Sequence, residues 1–525
     1  MGCPMLSTFK DQDFLPTEKE NPNEMFKDLV FQDSFCRKLE VFLPSKRWYS
    51  AKDDTIIAVS FQALIPLEKV LLAVIMVALK GGEKPTFLIP LRAAFDQAAD
   101  NVPESAVITG IETPEKKGLI YDAAGDEDFS ACLLPLLEKD ASVDIGTGMT
   151  VAGSSTAVGK TLIREVDGLP QKMLGVEQSN TSLIIGKKIM LKMYRRTAFG
   201  SHPEVATTSF LTEEAKFENT PAYLGMLELK YADGKTMALG ILQSFVPNVG
   251  DGWSYTMDYL KSYFNEALAG RKGNHAAYLK EARLLGKRTA EMHKAFAKGT
   301  DEVFKPVSVI ADDLAAWRDQ VIAQADKTIA VAEANVGHLT GDIKKRVEAL
   351  IAGKEKIVSR VAELLPAIAD GRKTRFHGDY HLGQVVLDKD GDFYILDFEG
   401  EPLRPITERQ VKQSVLKDVA GMVRSFDYAA FGALLLYVLP ENREKALKLA
   451  AEWQKKATDA FLEGYFENMD GCDSLPADRK VTLKLLDLFI LEKALYEVIY
   501  EVANRPDWLA IPMNGLSRLV NLDGE

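Results

Sequence analysis

The feature that most constrains this chain is a change of hydrophobic period near Pro247. Before it, apolar residues come in short runs bounded by turn residues, as in TIIAVSFQALI, VLLAVIMVAL and TFLIPL, separated by Asp53-Asp54 and Gly81-Gly82. These read as strands. SLII-GKK-IMLKMY reads as a hairpin turning at Gly186, and LGMLELKYADGKTMALGILQSFV as another turning at Asp233-Gly234. One helical stretch, Met25 to Phe42, precedes them. After Pro247, Ala/Leu/Lys/Glu-rich stretches carry apolar residues three and four apart: Leu314, Trp317 and Val321, then Val347, Leu350, Ile351, Val358, Val361 and Leu365. Such spacing builds antiparallel amphipathic helices, with Gly337 in a break between two of them. The helical half is interrupted once, by a β-like segment at 384–397. The expected class is α+β with two lobes. Along the chain, 1–25 is a polar, frayed extension, 26–150 is mixed, 151–247 is β-rich, and 248–525 is helical.

Composition excludes several functions. With 64 Lys+Arg against 76 Asp+Glu, the net charge of −12 opposes a nonspecific grip on nucleic acid. Cys3, Cys36, Cys132 and Cys472 are far apart and form no CxxC pair, which argues against a zinc or dithiol site and fits a reducing compartment. The N-terminal residues lack the apolar core of a signal peptide, and Leu6 stands where myristoylation prefers Ser or Thr. The most apolar run, Val70 to Leu79, is flanked by Lys69 and Lys80 and is too short for a bilayer, which needs about 20 residues. A cytoplasmic protein with no membrane partner is expected.

The most informative stretch is RFHGDYHLGQ (375–384), followed by VVLDKDGDFYILDFEGEP. Two short strands joined by a turn at Asp390-Gly391 form a hairpin whose open end sets Gln384 beside Asp397, with Asp379 in the loop just before. Two carboxylates and an amide carbonyl converging on one spot suit Mg²⁺, which binds a few protein oxygens plus substrate phosphates. The order of Asp, an amide five residues on, and an Asp after a short hairpin is the layout of a kinase-like catalytic loop. There the first Asp takes the substrate hydroxyl proton, and the amide and second Asp hold metal. HGD in place of HRD is the form seen in small-molecule kinases resembling aminoglycoside phosphotransferases. Competing readings are weaker. His377 and His381 are four residues apart, but no HExxH glutamate accompanies them. Glu399 stands at position 12 counted from Asp388, yet strands replace the helices an EF-hand needs. Asp388, Asp390 and Asp392 read as a solvated turn.

A kinase of this type also needs a strand lysine for the nucleotide phosphates and a glutamate to orient it. Lys192 interrupts an otherwise apolar strand, where an unpaired charge is costly; the alternative is a solvent-facing lysine on an edge strand. Glu204 is the favoured partner, although it also fits a helix start at Ser201-His202-Pro203-Glu204, and Glu213 and Glu214 compete. Ser179, Asn180 and Thr181, within Glu177 to Ser182, take the place of the phosphate-covering turn. Gly153 to Thr161 imitates a Walker A loop, but with five residues between its glycines instead of four, and reads as a surface turn.

In this order, EQSNTS, LKMYRR, HPEVATTSFLTE, ILQSFVPNVGDGWSYT, HGDYHLGQ, DFEGEP, VKQSVLKDVAGMVRSFDYAA and NRPDWLAIPMNGL resemble the maltokinase family, including the maltokinase region fused to trehalose synthase. The resemblance spans about residues 40–518. It implies a bilobal kinase-like fold with an N-terminal cap subdomain at 26–150, a β-rich N-lobe at 151–247 and a helical C-lobe beyond. It further implies ATP- and Mg²⁺-dependent phosphorylation of maltose to maltose 1-phosphate, feeding α-glucan (glycogen) synthesis, with trehalose synthase as a conceivable partner. By motif, Asp379 is then the base, Gln384 and Asp397 hold magnesium, and Lys192 binds phosphate. His377, His381, Glu399, Glu401, Arg424, Tyr428, Arg505 and Trp508 are candidate sugar contacts; Asp418 and Arg424 could instead pair across their helix. The amylase-like domain of the fused proteins is absent, so trehalose isomerisation is not expected, and about 300–370 departs from the family pattern. Two alternatives stand: a kinase for another small alcohol or amino sugar, and a pseudokinase that only binds trehalose synthase. The complete Lys192/Asp379/Asp397 set opposes the second.

Overall fold

The computed structural model describes residues 5–6, 14–175, 179–271, 274–401 and 408–522. They form two compact units, 1–206 with 221–246 and 207–220 with 247–525.

The first unit holds strands β1 (Phe14–Pro16), β2 (Ile56–Pro66), β3 (Leu71–Leu79), β4 (Thr86–Phe95), β5 (Val107–Glu112), β6 (Lys117–Asp122), β7 (Ser142–Gly146), β8 (Met149–Ser155), β9 (Gln171–Met173), β10 (Asn180–Ile185), β11 (Ile189–Tyr194), β12 (Arg196–Thr197), β13 (Tyr223–Lys230) and β14 (Thr236–Ser244). One seven-stranded sheet runs β1-β5-β6-β4-β3-β2, with β12 also paired to β4; the other runs β7-β8-β13-β14-β11-β10-β9. Helices α1 (Pro22–Met25), α2 (Leu29–Phe42), α3 (Leu134–Glu138), α4 (Ala157–Glu165) and α5 (Pro203–Ser209) accompany them.

Strand β3 explains why its sequence is apolar without a break. Successive side chains point to opposite faces of a sheet, and both faces of β3 are covered. Leu72 and Val74 join a core with Leu183, Leu191, Leu227 and Leu239 of the second sheet. Leu71, Ala73, Ile75 and Val77 join Phe31, Phe35 and Leu39 of α2. A strand buried on both sides needs no polar alternation.

Three local expectations change. The segment before residue 26 is not frayed throughout: β1 pairs in parallel with β5 through Phe14↔Gly110, burying Phe14 and Leu15. Three residues are too few to show a period. The hairpin β7–β8 belongs to the second sheet, although β7 lies in the stretch read with the first. Residues 153–161 are a strand-to-helix junction rather than a surface turn, with Thr156 capping α4 by accepting from the Gly159 N–H at 3.0 Å.

The second unit is built from α6 (Gly252–Leu268), α7 (Ala276–Phe296), α8 (Ala311–Asn335), α9 (Gly341–Ala352), α10 (Lys354–Leu364), α11 (Leu416–Tyr437), α12 (Arg443–Asn468), α13 (Arg479–Asn504) and α14 (Ala510–Val520). It also holds β15 (Gly250–Asp251), β16 (Val307–Ser308), β17 (Arg372–Lys373), β18 (Val385–Leu387) and β19 (Phe393–Ile395), which make a three-stranded sheet β15-β18-β19 and a pair β16-β17. Helix α11 is the central element and is buried nearly all round. By length and composition it could cross a bilayer, but 78% of its most apolar window is buried inside the protein. Asp418, Arg424 and Asp427 on it are buried with partners, as a core helix of this kind requires. The turn between β18 and β19 is not merely solvated: Asp392 makes a two-bond ion pair with Arg288, at 2.8 and 2.6 Å.

Helices α7 and α12 cross through two glycines. A Cβ on Gly286 would lie 2.0 Å from the Phe461 carbonyl oxygen, and one on Gly464 would lie 2.0 Å from that of Arg283. Backbone is what blocks each position, so side-chain rotation cannot relieve it. Gly286→Ala should cost about 3 kcal/mol, near the upper range for an overpacked core, and thermal unfolding followed by circular dichroism should show the lowered Tm.

Candidate active site

The second unit holds the groups around residue 379. Backbone pairing runs Val385↔Ile395 along the hairpin, and the Leu396 N–H reaches the Gln384 carbonyl at 2.9 Å. The expected meeting of Gln384 and Asp397 follows, with the amide Nε2 donating to Asp397 Oδ2 at 3.4 Å. Asp397 has φ of 64°, in the left-handed region where Asp and Asn are the best tolerated residues after Gly. Strain of this kind gathers at functional sites. Carboxylate oxygens of Asp397 and Glu399 lie within 4.8 Å of each other. With the Gln384 carbonyl they form a set of hard oxygen donors that fits Mg²⁺. Ligation by Gln384 requires its amide to turn over, because Nε2 cannot bind a cation.

The loop carrying Asp379 is held from beneath. Asp418 accepts the N–H groups of His377 at 2.7 Å and Gly378 at 2.9 Å. Buried His293 places Nε2 3.2 Å from the same carboxylate and Nδ1 2.8 Å from the Tyr465 hydroxyl. Gly378, at φ 87°, sits where an added Cβ would approach the Gly400 Cα to 3.2 Å. His377 ties the loop to the strand end: Nε2 donates to the Leu396 carbonyl at 2.8 Å and Nδ1 accepts from the Asp379 N–H at 3.3 Å. Only 1% exposed and with both nitrogens engaged, His377 is a structural residue rather than the sugar contact expected of it.

His381 is more open. Its Nδ1 accepts the Gly383 N–H at 3.0 Å, so Nε2 carries the hydrogen of the neutral ring, 4.0 Å from Asp379 Oδ2. Burial holds its pKa below the ordinary histidine value, with the Asp379 charge pulling the other way.

The remaining sugar candidates divide. Arg424 is 1% exposed and spends its guanidinium on Glu497, at 2.9 and 2.6 Å, and on Asp427. It does not pair with Asp418. Six residues along a helix is about 240° of rotation, so the two point apart. Tyr428 donates to Glu501 at 2.9 Å and Arg505 donates to the same carboxylate at 3.0 and 2.7 Å. Trp508 stacks on Tyr428, with ring centroids 6.3 Å apart. Arg424 is thereby turned into the protein, and Tyr428 is engaged through its hydroxyl. Glu399 and Glu401 are half-buried. Glu401 stands 3.8 Å from Lys493 Nζ, and that ammonium lies 5.0 Å from the centre of the Tyr496 ring. Sequence reasoning missed Lys493, Tyr496 and His293. The first two lie three apart in LEKALYEVIYE, one face of a helix, and that spacing was the available signal.

In the first unit, Lys192 lies on β11 between β10 and β14, so it is on an interior strand and not an edge. It is 4% exposed, with Nζ 3.1 Å from Glu204 Oε2, which also accepts from Tyr194 at 3.0 Å. Glu204, second residue of α5 and 1% exposed, is thus an ion-pair partner, while Glu213 and Glu214 are exposed. Of the supposed phosphate-covering turn, Glu177 and Gln178 lie outside the described residues. Ser179 is exposed, but Asn180 and Thr181 are buried in β10, and the Thr181 hydroxyl accepts from Arg195 at 2.8 Å. These two serve the sheet. The Walker-like glycines serve packing: a Cβ on Gly153 would meet the Leu136 carbonyl at 2.5 Å, and one on Gly159 that of Leu224 at 2.2 Å.

Comparison with known proteins agrees with this architecture. Residues 42–126 match the maltokinase N-terminal cap domain, and residues 258–400 match the phosphotransferase enzyme family. A curated relative from Streptacidiphilus jiangxiensis, named glucosamine kinase, is 27% identical over 66% of this chain and 72% of its own length. Another of that name, from Mycolicibacterium smegmatis, is 23% identical over 67% of this chain and 80% of its own. A solved glucosamine kinase in complex with glucosamine, ADP and inorganic phosphate superposes with a TM-score of 0.60 at 20% identity, covering 88% of this chain and 94% of that one. Residues 42–126 are thus similar to a maltokinase cap and residues 258–400 to phosphotransferase enzymes, and the chain shares the fold of the solved glucosamine kinase.

Asp418 generates a prediction of its own. Asp418→Ala removes the acceptor of two loop N–H groups without touching Asp379. A misplacement of about 1 Å costs about 10²-fold in rate, so kcat should fall by about that factor while nucleotide affinity, measured by titration calorimetry, stays within about threefold.

Proposed function

We propose that this chain transfers the γ-phosphoryl group of ATP to a sugar hydroxyl, and that the sugar is maltose, phosphorylated at its anomeric hydroxyl to give maltose 1-phosphate and ADP. The observation that carries the kinase reading is the gathering of Gln384 and Asp397 at the open end of one hairpin, with Asp379 on the loop leading into it. Asp379 accepts the proton of the attacking hydroxyl as the new O–P bond forms and the bond to ADP breaks. Lys192, held by Glu204, donates to phosphate oxygens. Asp397, Gln384 and Glu399 are the residues that would hold magnesium, which when bound neutralises phosphate charge. The choice of maltose rests on the maltokinase cap match and on HGDYHLGQ and DFEGEP. In that role the enzyme works in the cytoplasm, supplies α-glucan synthesis, and has trehalose synthase as a natural partner.

An amino sugar is the second reading, favoured by the relatives named glucosamine kinase and by the acidic pair Glu399 and Glu401. The acceptor hydroxyl separates the two. Trehalose joins both anomeric carbons and 1-deoxymaltose lacks the anomeric hydroxyl, so neither should be phosphorylated while maltose is. ADP release with ATP-Mg²⁺ and each sugar measures this, and product NMR locates the phosphate. Transfer to trehalose, or to glucosamine in preference to maltose, would replace the maltose assignment.

Asp379→Asn is nearly isosteric but takes no proton, so turnover should fall about 10²–10⁴-fold with ATP binding retained. Asp397→Ala should abolish magnesium-dependent turnover and Gln384→Ala should weaken it less, because a carboxylate attracts the cation more strongly than an amide. Steady-state rates across a magnesium titration check both.

A further inference from the structure

Within the first unit, the chain crosses from one sheet to the other at Arg195. Residues 189–194 are β11 of the second sheet, whereas Arg196 and Thr197 pair with Phe87 and Thr86 of β4 in the first. Arg195 is 3% exposed and bound from both sides. Its Nε donates to the Thr181 hydroxyl of β10 at 2.8 Å. Its Nη2 stands 3.0 and 2.8 Å from the two carboxylate oxygens of buried Asp122, the last residue of β6. The Arg195 carbonyl accepts the Leu88 N–H of β4 at 2.9 Å, and the guanidinium lies over the Trp48 ring, 5.0 Å from its centre.

This crossing falls, along the chain, between the two members of the buried pair Lys192 and Glu204. Lys192 stands three residues before Arg195 and Glu204 nine residues after it. Between them, the Gly200 N–H returns to the Thr236 carbonyl of β14 at 2.9 Å. The stretch that joins ammonium to carboxylate is thus pinned first to the sheet of residues 42–126 and then to β14. Replacing a buried ion pair by uncharged groups is often neutral for stability, so what Asp122 and Arg195 supply is a fixed geometry. Resting on the reading of Lys192 as the phosphate lysine, we infer that the Asp122–Arg195 pair is a positioning device, through which the first sheet sets where the Lys192 ammonium stands and so governs affinity for ATP.

The test is a double-mutant cycle on ATP-Mg²⁺ affinity, measured by titration calorimetry. Asp122→Asn with Arg195→Met removes the pin without leaving a buried charge, and the asparagine can still accept the Ala124 N–H that Asp122 now accepts at 3.2 Å. A misplaced charge-assisted hydrogen bond weakens binding about tenfold or more, so this variant should lose about tenfold in affinity. In a Lys192→Met background the same two changes should cost nothing further, because the group they position is gone. Circular dichroism confirms folding, and Lys192→Met with Glu204→Gln serves as the background if Lys192→Met alone does not fold. An unchanged affinity, or an equal loss in both backgrounds, overturns the positioning role and leaves the phosphate lysine standing. A Lys192→Met variant that binds ATP as wild type does overturns the phosphate-lysine reading and the inference with it.

Discussion

The candidate site in the second unit depends on one buried carboxylate. Asp418 lies on the central helix and accepts two consecutive peptide N–H groups of the loop that carries Asp379, while His293 and Tyr465 hold it from behind. A loop has no ladder of its own to fix its backbone, and a buried N–H left unpaired costs about 1–3 kcal/mol. Charge-assisted bonds to one rigid acceptor meet both needs. His377 adds the second tie, from the loop to the strand that ends at Asp397. Asp379 and Asp397 are thereby referenced to the same helix and hairpin.

The first unit solves a comparable problem with an ion pair. Lys192 sits on an interior strand in apolar surroundings, and Glu204 balances it with help from the Tyr194 hydroxyl. A buried pair of this kind adds little net stability, but losing either partner leaves an uncompensated charge at a cost of about 3–5 kcal/mol. Its value is in placing an ammonium group with little freedom to wander.

Much of this was legible in the sequence because it is local. Hairpins announced themselves through Gly186 and Asp233-Gly234, and Gln384 and Asp397 were brought together by the geometry of a short turn. Lys192 stood out as a charge in an apolar strand. What failed was mostly non-local. Nothing near Asp418 indicates that its partners are 41 and 40 residues back, at His377 and Gly378, and 125 back, at His293. Arg424 looked like a ligand group because its acid partner Glu497 is 73 residues away, on another helix. Phe14 to Pro16 was too short to show a period, and the glycines of 153–159 mimic a phosphate loop while filling tight backbone contacts.

The left-handed backbone of Asp397 also shapes how this position can vary. A single-nucleotide change from an aspartate codon gives Asn, Gly, His, Tyr, Ala, Val or Glu. Only Asn and Gly take up a positive φ with ease, and neither carries a charge. Glutamate keeps the charge but is ill suited to the conformation. Backbone shape and ligand chemistry thus filter the same neighbours in different ways, and no one-step substitution passes both. The residue is locked by its conformation as firmly as by its chemistry.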